Sequence, residues 1–255
     1  MAAIAPDAKS AGTGKELTIL EHLLELRKRL MISAAAIVIA FLASLFLTKQ
    51  FLEWITLPAT NAGNDVSIVF TDVLGYWSAY FRVALLSAIA MSMPVLVYET
   101  LAFISPGLTP QEKRWVIPVV LGASLSFVAG AAFAYRFELP PALRFLLNPP
   151  SKGITAMINV NSYVDFVTRL MLVTGLVFEL PLFVMALAKF HIVTSRKLLG
   201  WWRYAFILAF VVSAVVTPSI DPITQTVVAV PMIVLYFAGI VLAMLVERSR
   251  RQANS

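Results

Sequence analysis

EHLLELRKRLMISAAAIVIAFLASLFL, residues 21–47, is the stretch from which this chain is read. Its first ten residues set two carboxylates, one imidazole and three cations against a leucine stripe. The remainder, 31–47, is apolar and carries no charge. Spanning bilayer hydrocarbon as a helix takes about 20 mainly apolar residues. The stretch therefore reads as a charged amphipathic foot on a membrane helix. Such a foot is either a simple anchor or a docking site that reads charge at the membrane surface.

The rest of the chain agrees that the bilayer is the main solvent. Of 255 residues, 60% are hydrophobic and only 13% are charged. A soluble domain carries roughly a quarter charged residues. Mean hydropathy is +0.85. The net charge of +6 does not call for nucleic acid. In a membrane protein, basic residues mark the cytoplasmic side. The absence of cysteine excludes a disulfide framework and thiol chemistry. No cleaved signal peptide is expected, because the N-terminus lacks a short apolar stretch followed by a small-residue cleavage site.

These constraints give an all-α integral membrane protein with six spans, near 30–47, 76–103, 115–137, 163–190, 201–216 and 224–246. Residues 1–16 read as a flexible N-terminal segment, 17–247 as the membrane domain and 248–255 as a basic tail. The second and fourth spans are long enough to tilt or project. The fifth is barely long enough, which points to local thinning of the bilayer. Arg27, Lys28, Arg29, Lys113, Arg114, Lys189, Arg196, Lys197, Arg203 and Arg248 gather on one side. Lys49, Arg136, Arg144 and Lys152 lie on the other. That asymmetry puts both termini in the cytoplasm of a bacterial-type inner membrane and leaves 49–72 and 138–161 as external loops.

A shift of 87 positions overlays Tyr76 on Tyr163, Arg82 on Arg169, Pro94 on Pro181 and Phe103 on Phe190. Either an internal duplication or the shared constraints of two helices with one direction would produce it.

Several polar residues need a reason to be in or near a span. Glu179, in VFELPLF, lies well inside the fourth. An ionised carboxylate at the bilayer centre costs at least about 2.5 kcal/mol. Glu179 should therefore face a cavity or partner, or be protonated. Thr217, Thr224 and Gln225 are its expected polar company. The alternative is a helix–helix hydrogen bond that holds the bundle. Glu99, nearer the cytoplasmic end of the second span, is expected to snorkel or to pair with a cation. Arg82 and Arg169 are expected to reach outer headgroups or to pair with Asp72 and Asp165. Prolines Pro94, Pro118, Pro181 and Pro231 each remove a backbone donor inside a span, so the bundle should be curved. Asp221, in TPSIDP, suits a turn or cap. Around the turn 106–110, Thr109 suits a helix cap and Pro110 the first helical position, with Glu112 in the first turn. Glu112 is equally a second surface carboxylate beside Glu25.

No catalytic constellation emerges. His22 and His191 lack metal-ligand spacing, and there is no GxSxG, HExxH or phosphate-cradling glycine loop. The chain is therefore read as no enzyme, with no cofactor and no metal.

The segment 22–30 resembles the N-terminal signature of TatC, the receptor subunit of the twin-arginine protein translocase. The resemblance continues through Thr71-Asp-Val73, Pro94-Val-Leu-Val-Tyr98, Ala102-Phe-Ile-Ser-Pro106, Phe133-Ala-Tyr135, Phe178-Glu-Leu-Pro181, Thr217-Pro218 and Gln225-Thr226 with Pro231. It implies a glove-shaped six-helix bundle that binds the twin-arginine signal peptides of folded cargo. It also implies single-span partner subunits of the TatA/TatB type, self-association in a receptor complex, contacts with membrane lipids, and transport driven by the proton-motive force. Carried onto matching positions, Glu25 and Glu112 would receive the arginine pair, with Leu26, Arg27, Arg29 and Phe103 in the same region. Glu179, Thr217 and Gln225 match polar positions implicated in partner-helix binding. Pro58 and Asp221 match sensitive outer positions, and Pro94 and Tyr135 structural ones. The chain departs from the pattern at Glu99, where several relatives have glutamine, and at Gly75-Tyr-Trp77, which replaces a phenylalanine cluster. A proton-coupled secondary transporter of a small solute is the alternative reading.

Overall fold

The computed structural model describes residues 19–60, 67–69, 71–104, 116–147, 157–189, 193–217 and 221–253. The described residues are all-α apart from one pair of three-residue strands. The helices are α1 (Ile19–Ser44), α2 (Thr48–Thr60), α3 (Gly75–Ile104), α4 (Val116–Phe133), α5 (Leu139–Leu147), α6 (Val160–Phe178), α7 (Leu180–Lys189), α8 (Ser195–Gly200), α9 (Trp202–Val216) and α10 (Pro222–Ala253). Strand β1 (Ser67–Val69) runs parallel to β2 (Met157–Asn159), with Ile68 opposite Ile158.

Among the described residues, four stretches are long and apolar enough to cross a membrane: Gly75–Phe103, Val116–Leu147, Val160–Lys189 and Pro222–Arg248. A fifth arises if Leu20–Ser44 and Thr48–Thr60, bent by 81°, are one broken span. Helix α9 has only 15 residues. At 1.5 Å per residue it is about 22 Å long, short of an unthinned hydrocarbon core.

The breaks have local causes. At the 81° bend no proline intervenes. Neighbouring side chains fix it instead. Ser44, fully buried, donates to the Ala84 carbonyl at 2.8 Å, and the Tyr80 hydroxyl donates to the Leu45 carbonyl at 2.6 Å. The third expected span does not stop at Phe137. It passes through a π-helical turn, Ala134–Glu138, into α5. Pro140 and Pro141 have no N–H to offer the carbonyls four residues earlier. The Leu139 N–H reaches back to Ala134 and closes the wider turn. The fourth expected span is likewise split. Pro181 cannot donate to Val177, and the chain tightens at Glu179, whose N–H bonds Leu176 at 3.1 Å. The Phe178 carbonyl at this break accepts from Ser126 of α4 at 2.8 Å.

Helix α6 is the central element. Ten of its side chains or backbone positions are buried, from Val160 to Gly175. It packs on α3 and α4 and also touches α2, α9 and α10. Lipid tails are as apolar as leucine, so close van der Waals contact holds membrane helices together. Gly130 of α4 and Gly175 of α6 supply it. A Cβ on Gly130 would lie 2.7 Å from Phe178 Cγ and 2.9 Å from Gly175 Cα. A Cβ on Gly175 would lie 2.8 Å from the Phe127 ring. A second cluster, of Val184, Ala188, Leu198, Ile240 and Ala243, joins α7 and α8 to α10. There Glu247 accepts from the Ser195 N–H and hydroxyl, both at 2.7 Å, and so caps α8 from another helix.

Candidate functional site

The foot of α1 lies against the last turns of α3. Residues Glu25 and Arg29 are one helical turn apart, so their side chains share a face. Arg29 donates from Nη2 to Glu25 at 3.1 Å and from Nη1 to Glu99 at 2.9 Å. Glu25 and Arg29 are partly solvated, with side chains 24% and 27% exposed, whereas Glu99 is at 8%. The one guanidinium thus serves two carboxylates, and the triad carries one excess negative charge. Glu99 pairs with a cation, as its place near the helix end suggested. One turn before Glu25, His22 stacks on Phe103 with ring centroids 4.4 Å apart. Leu26 is half-buried and Arg27 exposed on the same helix. Glu112 and the turn 106–110 lie outside the described residues, as does His191.

The polar groups within the bundle form separate sites rather than one. Glu179 sits at the α6–α7 break with its Oε1 buried and, among the described residues, without a hydrogen-bond partner. Two residues on, Pro181 lies under Gly239 of α10, where an added Cβ would be 3.2 Å from Pro181 Cα. Gln225 is 14 residues before Gly239, about 21 Å along that helix axis. The structure therefore separates Glu179 from Gln225. Instead, Gln225 belongs to a cluster at the α9–α10 turn. Ser213 donates to the Gln225 carbonyl at 2.7 Å, and Thr217 donates to the Ser213 carbonyl at 3.0 Å. Asp221 accepts from the Thr224 N–H at 2.6 Å and caps α10, with Pro222 at the first helical position. Thr224 is fully buried there, its hydroxyl without a partner.

Pro58 and Tyr135 act on one carbonyl. Pro58, inside α2, leaves the Trp54 carbonyl without a helical donor. The Tyr135 hydroxyl donates to that oxygen at 2.8 Å, and its ring stacks on Trp54 at 4.7 Å. Pro94 lies exposed within α3.

Sequence reasoning missed Glu138. It was assigned to an external loop, yet it is 1% exposed in the π-helical turn. Thr174 donates to its Oε2 at 2.8 Å, while Oε1 is buried without a partner. The signal available was the apolar run beyond Pro141, which continues the helix and so draws Glu138 inside.

These sites lie on a matching ancestry. The family described as "Sec-independent protein translocase protein (TatC)" matches residues 21–231. The chain belongs to the TatC family. A chloroplastic TATC of Arabidopsis thaliana is 36% identical over 225 residues, covering 88% of this chain and 66% of that protein. The TatC of Synechocystis sp. is 34% identical over 225 residues, covering 88% of this chain and 87% of that one. A crystal structure of the "Twin Arginine Translocase Receptor- TatC" is 33% identical, covers 89% of this chain and 100% of its own, and superposes with a TM-score of 0.81. TatC membership makes the chain a component of Sec-independent protein translocation in a membrane. The small-solute transporter reading finds no support among these TatC proteins.

Proposed function

We propose that this TatC protein is the receptor that docks twin-arginine signal peptides of folded cargo, and that the Glu25–Arg29–Glu99 triad forms part of the docking site. The excess negative charge of that triad carries the proposal. An arginine side chain is always ionised and prefers a planar carboxylate in bidentate geometry. Arg29 gives each of the two carboxylates only one hydrogen bond, so neither is held in a bidentate pair. An incoming guanidinium takes its place at Glu25, or joins it and neutralises the site. Glu112 is the second carboxylate in this reading, and Leu26, Arg27 and Phe103 flank the pair. The cations beside Glu25 repel a misplaced arginine and set one register.

The broader reading is a glove-like bundle of six spans, α1 and α9 included, with both termini in the cytoplasm of a bacterial-type inner membrane. The basic bias of one end supports it. Glu179, Thr217 and Gln225 are proposed as contact points for single-span TatA/TatB-type subunits, in a complex that self-associates and uses the proton-motive force. The 21 Å offset inferred above favours two contact points on such a helix rather than one.

The test is site-specific crosslinking of a twin-arginine peptide next to Glu25. Glu25→Gln and Glu112→Gln should each weaken the crosslink, and replacing the peptide arginines with lysines should do the same. An undiminished crosslink in the double variant would overturn the assignment.

A further inference from the structure

We propose that Arg82 and Arg169 form a binding site for the phosphodiester of an anionic phospholipid, at the end of the bundle where β1 and β2 pair. The site is distinct from the peptide-docking triad and rests on α3 and α6 being membrane spans.

Asp165 brackets the two arginines. Its Oδ1 is 3.1 Å from Arg82 Nη1, and its Oδ2 is 2.9 Å from Arg169 Nη2. Arg82 Nη1 also donates to the Asn161 side-chain oxygen at 3.1 Å and to its carbonyl at 3.4 Å. Both oxygens of the carboxylate are thus engaged, and two cations share one anion. The triad has an excess charge of +1. Among the described residues, neither arginine's other terminal nitrogen has a partner. The side chains are 38% and 58% exposed, so both arginines are partly open to the surroundings.

The surroundings are a lipid interface. Arg82 is seven residues into α3 and Arg169 nine into α6, so their Cα atoms lie about 10 and 14 Å below the helix starts. Helical side chains lean toward the N-terminus, which here is toward the membrane surface. Long basic side chains at this depth carry their heads to the headgroup region. Tyr76, Trp77, Tyr80 and Phe81 form a connected group of ring contacts on the same turns of α3. Trp77 and Phe81 are 54% and 49% exposed. Such aromatic groups mark the boundary between headgroups and tails.

The charge chooses the lipid. A guanidinium fork matches two phosphate oxygens. A zwitterionic headgroup brings its own ammonium and leaves the excess charge of the bracket in place. An anionic phospholipid such as phosphatidylglycerol cancels it. Arginines that only reached water would need no common carboxylate to hold them side by side.

The experiment is native mass spectrometry of the full chain in detergent, with equal amounts of phosphatidylglycerol and phosphatidylcholine. The chain should retain phosphatidylglycerol preferentially, by about fivefold, the factor for one basic residue at an anionic surface. Arg169→Gln should abolish the preference, and Asp165→Asn, which raises the bracket to +2, should increase it. Equal retention of the two lipids by the unaltered chain overturns the proposal and needs no variant to fold. Survival of the preference in Arg169→Gln also overturns it. So does displacement of the lipid by inorganic phosphate, which would make this a site for free anions. Peptide crosslinking at Glu25 should be unchanged in Arg169→Gln, so the two sites fail or stand separately.

Discussion

Arg29 reaches Glu99, 70 residues along the chain, at 2.9 Å, and this contact fastens the foot of α1 to the end of α3. The Glu99 carboxylate is buried, so its charge has little water to fall back on. Removing one partner of a buried ion pair costs about 3–5 kcal/mol, because the other charge is left uncompensated. When Glu99 is the partner removed, Arg29 keeps the solvated Glu25, which lowers that figure. Arg29→Gln should therefore destabilise the protein more than Glu99→Gln does. The double variant should recover part of the loss. Thermal unfolding in detergent, analysed as a double-mutant cycle, measures the coupling. Additive losses would show that the contact contributes nothing.

The same contact predicts how docking depends on Arg29. With glutamine at 29 the site holds two carboxylates and no internal cation. Binding of a twin-arginine peptide should strengthen and its salt dependence should steepen, since exposed charge is screened over about 10 Å at 0.1 M salt. A peptide titration at two ionic strengths checks this. Weaker binding would instead make Arg29 part of the surface that holds the peptide.

Glu138 offers a test in the interior. Its Oε1 has no partner and Oε2 has only Thr174. Replacing both partners of a buried hydrogen bond by apolar groups of similar shape is often neutral or stabilising. The double variant Glu138→Leu, Thr174→Val should therefore leave stability unchanged or higher. Thr174→Val should lose about 1–3 kcal/mol, the cost of stranding a buried polar group. In the Glu138→Leu background that loss should disappear. Unfolding free energies of the three variants decide it.

Gly130 sits where backbone meets backbone. An alanine there would press its Cβ to 2.9 Å from Gly175 Cα as well as into Phe178. Overpacking of this kind costs about 1–3 kcal/mol. Gly175→Ala meets only the Phe127 ring among its nearest atoms, which can tilt, so it should cost less. Unfolding of both variants in mixed micelles ranks them.

Tyr135 and Pro58 should be coupled. Tyr135→Phe should cost about 1 kcal/mol by leaving the Trp54 carbonyl unmet. Pro58→Ala restores a helical donor to that oxygen, so the cost of losing the Tyr135 hydroxyl should shrink in its presence. Equal costs in both backgrounds would show that the hydroxyl, and not the proline, determines the carbonyl's partner.

Much of this was legible in the sequence because the bilayer leaves few options. Apolar runs of sufficient length become helices, since every backbone group must be satisfied within the segment. Thus α3 occupies Gly75–Ile104 where 76–103 was expected, whereas α10 runs on to Ala253, seven residues past the expected 246. Asp221 and Glu99 also behave as their positions suggest, because capping and pairing with a nearby cation act locally. What escaped was set by distant partners. Nothing in the residues around Ser44 announces an 81° bend, which depends on Ala84 and Tyr80. The β1–β2 pair joins segments about 90 residues apart. The third span was expected to end at Phe137, but a π-helical turn just before Pro140 and Pro141 carries the helix onward. Glu179 and Gln225 looked like companions because both are polar and intramembrane, yet helix geometry keeps them apart.

Helix α3 bears one member of each charged triad, Arg82 near its start and Glu99 near its end. The 17 residue steps from one to the other rise about 26 Å along the helix axis. Each is tied to another helix, Arg82 to α6 and Glu99 to α1, so neither end can slide without breaking an ion pair. The helix therefore acts as a fixed gauge of membrane thickness. A bilayer with a hydrocarbon core near 30 Å must thin around it, or the charged side chains must snorkel toward their aqueous boundaries.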